Sequence, residues 1–182
     1  MRNPWSRIAS AYWDKMEVMT VRQKPCKELL ESCCLLRKEL FGIFTKCGTN
    51  SPVPSFEQFL DAIELQIMEK GKTNDHWERQ TQLCNLGTVP YKKVFDLYRD
   101  HDEVLEYIGA SAGDVEEVQS AFTSVHKRNY DTIKDAFRVL YEVEEGATTS
   151  RLVEKVERIY ADDIAFASIN GIIYTFENAL QH

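Results

Sequence analysis

A single stretch of this chain, Val94-Phe95-Asp96-Leu97-Tyr98, reads well as a β-strand. One strand cannot make a sheet, so whatever core the chain builds must come mainly from helices. Their starts are well marked. Asn3 is a good N-cap with Pro4 at the first helical position, which predicts a helix over residues 4–18 with Ile8, Ala11 and Tyr12 on one stripe. A second is predicted over residues 25–44, with Leu29, Leu36, Leu40 and Phe44 inward. After a loop over residues 47–54, Ser55 and Gln58 form a capping box ahead of Phe56, Phe59, Leu60, Ile63 and Ile67, and Gly71 ends that helix. Asp100 with Glu103, and Asp114 with Glu117, mark two shorter helices, the first stopping at Gly109. A final long helix over residues 150–168 starts at Thr148 or Thr149 and turns Leu152, Val156, Ile159, Tyr160 and Ile164 inward.

With 182 residues, 43% of them hydrophobic, the chain can bury one sizeable core as a single domain. A net charge of −7 argues against a general binder of nucleic-acid polymers or anionic membranes. No run has the length of a membrane span and the first residues lack the apolar core of a signal peptide, which predicts a cytoplasmic chain as written. The five cysteines, Cys26, Cys33, Cys34, Cys47 and Cys84, make a poor disulfide framework and lack zinc-ligand spacing. Buried or half-buried free thiols are the simpler reading. The Asp162-Asp163 pair has no partner at metal-ligand spacing, so an exposed helix face is expected there. His101, His126 and His182 sit in polar surroundings and read as surface residues, and the acidic run over residues 142–146 reads as solvated. Trp5, Trp13 and Trp77 suit buried packing, with stacking on a sugar or adenine as the alternative.

The opening stretch carries the strongest chemistry. Asn3, Ser6, Arg7 and Ser10 fall along one side of the first two helical turns, and Arg2 stands just before the cap. A helix N-terminus with a guanidinium and a hydroxyl beside it is suited to a phosphate. A solvated basic helix start accounts for the same residues.

The order of residues adds to this. Arg2-Asn3-Pro4-Trp5-Ser6-Arg7-Ile8-Ala9-Ser10-Ala11-Tyr12, followed by Asp14-Lys15, resembles the R-D/N-P-F/W-x-R-L/I-x-S-A-Y/F-x-D/N-K signature of the carbohydrate sulfotransferases. "HWERQTQLC", residues 76–84, resembles the HW-x-P-Q-x-x-L-C segment of the Golgi branch that sulfates chondroitin and dermatan, with Arg79 where that branch carries Pro. "TTSRLVEKVERIYADDIAFASI", residues 148–169, resembles the family's closing helix, although Ala167-Ser168-Ile169 replaces the usual Phe-Gly-Tyr. The three segments occur in the family's order.

The resemblance implies a PAPS-dependent enzyme, one that moves a sulfuryl group from 3′-phosphoadenylyl sulfate to a sugar hydroxyl and needs no metal. Its partners would be the nucleotide donor and a carbohydrate acceptor. Arg2 and Ser10 would hold the donor's 3′-phosphate with residues 3–9 packed around it, and Arg7 and Lys15 would add positive potential. His76 would be a candidate general base; the alternative is that His76-Trp77 buttresses a loop. The implied parent fold is a three-layer, P-loop-like α/β domain. The 5′-phosphosulfate loop of that parent, P-K-x-x-x-S/T, does not occur in this sequence. Residues 1–182 are therefore expected to be the C-terminal part of one sulfotransferase domain, mostly helical, with one or a few short strands. A eukaryotic full-length parent would work in the Golgi lumen or membrane. The competing reading is a non-catalytic helical protein that keeps only the donor-binding helix and serves as a binding or interaction module.

Overall fold

The computed structural model describes residues 1–17, 54–71, 73–96, 99–109, 130–144, 147 and 149–180. The helices expected over 25–44 and after Asp114 lie outside the described residues, as do Cys26, Cys33, Cys34, Cys47, His126 and His182.

Helix α1, Pro4–Tyr12, starts as its cap residue dictates: Asn3 Oδ1 accepts the Trp5 N–H at 3.1 Å. It passes at Trp13 into a π-helical turn, Trp13–Glu17, which delivers Met16 fully into the core. Helix α2, Phe56–Lys70, has both halves of its capping box, with Gln58 N donating to Ser55 Oγ at 3.2 Å and Ser55 N to Gln58 Oε1 at 2.9 Å. It stops at Gly71, whose φ of +69° suits a residue without a Cβ. Phe56, Phe59, Leu60 and Ile63 form its buried face.

The core is an aromatic cluster between these helices and the C-terminal part of the chain. Phe56 meets Tyr12 at 5.2 Å and Tyr141 at 4.9 Å, edge to face. Phe59 meets Trp77 at 5.3 Å, and Tyr141 meets Phe176 at 5.0 Å. Two of the buried polar tips find carbonyls, as burial favours: Tyr141 Oη donates to Trp5 O at 2.6 Å, and Trp5 Nε1 to Val153 O at 3.1 Å. Trp5 and Trp77 are buried, and Trp13 packs against Phe137 at 5.1 Å, so the tryptophans serve packing.

Between the core elements lie helix α3, Gln80–Leu83, helix α4, His101–Tyr107, and helix α5, Tyr130–Leu140. Within the described residues the expected strand does not form. Residues 94–96 are irregular, Leu97 and Tyr98 lie outside the described residues, and no strand occurs among the described residues. The reason is local competition for backbone groups. Phe95 O accepts from the Met1 nitrogen, Asp96 N donates to Asp100 Oδ2 at 2.8 Å, and Arg99 N donates to Asp96 Oδ1 at 2.9 Å. Asp100 accordingly turns to Asp96 and Arg99 and makes no side-chain cap on α4. That helix ends at Tyr107, and Gly109 follows with a positive φ.

The long closing helix is broken. Helix α6, Arg151–Ile159, is capped by Ser150 through Val153 N at 3.3 Å, and helix α7, Ala161–Ile169, follows after a single non-helical residue, Tyr160 at φ −109°, ψ 23°. The short helix α8, Phe176–Ala179, closes the core against α1, where Asn3 Nδ2 donates to Thr175 O at 3.0 Å. Helices α2 and α6 are joined across their outer edges by Arg151–Glu57 at 2.7 Å, Arg158–Glu64 at 3.8 Å and a Lys155–Asp61 contact. Among the described residues no helix is long and apolar enough to cross a membrane.

Candidate functional site

The two residues expected to share one anion do meet. Arg2 Nη2 donates to Ser10 Oγ at 2.9 Å, two helical turns along α1, and both residues are half-buried. Ser10 in turn donates to Ser6 O at 2.8 Å, so a phosphate oxygen would accept a hydrogen bond from the hydroxyl only after it rotates. The guanidinium beside it carries several donors on one fork. The pair therefore fits an oxyanion at its rim.

The mouth of the helix is closed in part by the chain itself. Pro4 has no N–H, the Trp5 N–H is held by Asn3, and the Arg7 N–H bonds Asn3 O at 3.0 Å. Asn3 and Ser6 are buried in the protein's own core, with Ser6 Oγ donating to Asn3 O at 3.1 Å. Residues 3–9 thus form the wall behind Arg2 and Ser10.

Arg7 points elsewhere than the sequence reading expected. Its Nη2 donates to Glu78 O, its Nη1 lies 3.9 Å from Asp163 Oδ2, and its guanidinium stands 5.8 Å from the centre of the Tyr160 ring. With 13% of its side chain exposed and a buried carboxylate beside it, Arg7 serves the interior. Lys15 is half-buried on the π-helical turn. His76 is exposed on the turn before Trp77, with its ring 6.1 Å from the indole and its backbone N–H on Asn74 Oδ1 at 3.1 Å. Half-buried His101 faces Asp102 at 3.3 Å. Glu142 and Glu144 are exposed as expected, but Val143 between them is buried.

Two residues that the sequence reading left in the background organise this region. Asp163 was expected on an exposed face; its side chain is 0% exposed. Its Oδ2 accepts Gln80 N at 2.8 Å, and its Oδ1 accepts both Thr81 N and Thr81 Oγ1 at 2.8 Å. A buried carboxylate is tolerable only with such a full set of donors. The signal was present: residue 163 falls four after Ile159 and seven after Val156, on the inward face of the period. Asp162 behaves as expected, 63% exposed and paired with Arg79 Nη1 at 3.0 Å.

Gln80 is the second. Its Oε1 accepts the Arg2 N–H at 2.9 Å and its Nε2 donates to Arg2 O at 2.8 Å, a two-pronged clamp on one residue's backbone. Arg79, preceding it, has φ −56° and ψ 135°, a conformation that a proline also adopts. The arginine adds what proline lacks, an N–H to Glu78 Oε1 at 2.8 Å and a guanidinium bond to Gly71 O at 3.2 Å. Beneath them the Tyr160 hydroxyl donates to Trp77 O, and burial pushes its ionisation well above the usual phenol range, with Arg7 partly opposing.

Cys84, at the end of this segment, is a free thiol as expected, but exposed where a buried or half-buried one was expected. Among the described residues no group of three or more His, Cys, Asp or Glu side chains could hold a metal ion.

No curated protein and no solved structure matches the chain. A family model does: residues 1–166 match the one described as the sulfotransferase family. With nine-tenths of its length and all three motif segments inside or overlapping that match, the chain belongs to the sulfotransferase family.

Proposed function

We propose that this chain holds the donor's 3′-phosphate for a PAPS-dependent carbohydrate sulfotransferase of the chondroitin and dermatan type. In this reading residues 1–182 are the C-terminal part of one sulfotransferase domain. The observation that carries it is the 2.9 Å contact between Arg2 Nη2 and Ser10 Oγ, the pair that the resemblance assigns to that phosphate. Lys15 lends positive potential nearby, and Arg7, bound to Asp163, lends less. In the transfer, the acceptor hydroxyl oxygen forms a bond to sulfur as the bond from sulfur to the 5′-phosphate oxygen breaks. The hydroxyl proton passes to a base, and adenosine 3′,5′-bisphosphate leaves. His76, exposed and at ordinary reach of solvent, is the residue proposed for that proton. Charge at the moving group is stabilised chiefly by position and positive potential, as in phosphoryl transfer.

Calorimetry with adenosine 3′,5′-bisphosphate and adenosine 5′-phosphate tests the reading. Arg2→Ala is expected to weaken the bisphosphate by about 1.5–3 kcal/mol, the worth of a hydrogen bond to a charged group. Ser10→Ala is expected to cost less, and neither change should alter the 5′-phosphate. Equal losses for both nucleotides, or none for either, would overturn it. Bisphosphate binding without sulfuryl transfer to any sugar acceptor would favour a binding module instead.

A further inference from the structure

We infer that Gln80, held in place by Asp163, is a positioning residue for Arg2, so that the buried carboxylate of α7 sets the donor site at the start of α1. The inference rests on the functional reading above and names what aims its arginine. Arg2 lies before the helical cap, where no helical hydrogen bond fixes its backbone. Its peptide groups are instead taken by one amide side chain, at 2.9 and 2.8 Å. A primary amide presents a donor and an acceptor side by side and so fixes both the place and the rotation of the backbone it grips. Gln80 can do this only if its own backbone is fixed. Asp163 holds it, accepting from the N–H groups of Gln80 and Thr81 and from the Thr81 hydroxyl. The chain of contacts runs from Asp163 to Gln80, from Gln80 to the Arg2 backbone, and from the Arg2 guanidinium to Ser10.

The arrangement is more than packing needs. The helix beside Asp163 is a single turn, and its side chain-to-backbone bonds reach 78 residues back along the chain. Arg2 is long and rotamer-rich, so a backbone that wanders leaves the guanidinium spread over many positions and lowers its affinity for a fixed anion.

The test is a double-mutant cycle on the full chain, read by calorimetry with adenosine 3′,5′-bisphosphate and with adenosine 5′-phosphate as control. Gln80→Ala is expected to weaken the bisphosphate by about tenfold and to leave the 5′-phosphate unchanged. The Arg2→Ala/Gln80→Ala double variant is expected to lose no more than Arg2→Ala alone, since Gln80 acts through Arg2. Gln80→Glu preserves the side chain's size and its acceptor for the Arg2 N–H but turns an oxygen towards Arg2 O. It should therefore weaken the bisphosphate too, with a melt lowered by the lost bond to Arg2 O. Amide hydrogen exchange at Arg2, without nucleotide, is expected to speed up in Gln80→Ala. Additive losses in the cycle, equal losses for both nucleotides, or unchanged bisphosphate affinity in a folded Gln80 variant would overturn the inference. If Arg2→Ala itself costs nothing, the functional reading falls first; if Arg2→Ala costs affinity and the Gln80 variants do not, only this inference falls.

Discussion

Asp163 shows how much a single side chain can decide. Removing its carboxylate strands two half-buried N–H groups and a hydroxyl together and takes away the anion beside Arg7. Asp163→Ala is therefore expected to lower stability by about 3 kcal/mol or more, since each stranded buried group costs about 1–3 kcal/mol. Asp163→Asn keeps one acceptor oxygen but sets an amide N–H₂ against donors, and should fall between alanine and wild type. Urea unfolding of the three proteins checks the order. A loss for Asp163→Ala no larger than that of a surface substitution such as Asp162→Ala would contradict the burial argument. The sequence period places residue 163 on the inner face, yet the residue type says exposed. Only the position of Gln80 and Thr81, 82 and more residues away along the chain, reconciles the two.

At the scale of elements, caps written in the sequence and caps found in the structure agree at Asn3, Ser55 and Gly71, because each is satisfied within four residues. Ser55→Ala is expected to cost about 1 kcal/mol, as loss of an N-cap does. The closing helix differs. Its residues keep one apolar stripe, and the periodicity reads as one rod, but Tyr160 is drawn out of helical geometry while its ring and hydroxyl are buried against Trp77 O. Tyr160→Phe keeps the ring and strands that carbonyl, so a loss of about 1–3 kcal/mol is expected in chemical denaturation. A Tyr160→Phe protein as stable as wild type would mean that ring packing alone holds the break. The missing strand at residues 94–96 has the same origin in reverse, since neighbouring carboxylates and the Met1 nitrogen take the backbone groups that a ladder would need.

For the whole molecule, the buried tyrosines make stability depend on alkaline pH. Burial raises the ionisation of both Tyr141 and Tyr160 above the phenol value of 10.0. Below that value both states carry the proton and the full stabilisation is present. Above it the unfolded chain releases protons that the folded chain keeps, so the unfolded state is favoured as pH rises. Each tyrosine is expected to contribute a fall of about 1.4 kcal/mol per pH unit above about pH 10. Thermal melts from pH 8 to 11 on wild type and Tyr141→Phe measure it, and the substituted protein should show the shallower decline. A flat profile through pH 11 would contradict the burial of these hydroxyls. Membership of the sulfotransferase family brings the sulfotransferase fold, and the described residues supply helices of it that close round one aromatic core.

What the sequence determined by itself was local or written in order: helix starts and stops, the apolar stripes of α1 and α2, the motif at residues 2–15 and, through it, the family. Capping and periodicity act over one or two turns, so neighbours along the chain suffice to reveal them. What the tertiary structure decided were the relations between distant segments. Arg7 serves Asp163 and Glu78, Gln80 grips Arg2, and Tyr160 interrupts a helix to reach Trp77. Each answers the same demand, that a polar group taken from water must find a partner, and that partner is chosen by which surfaces the core brings together.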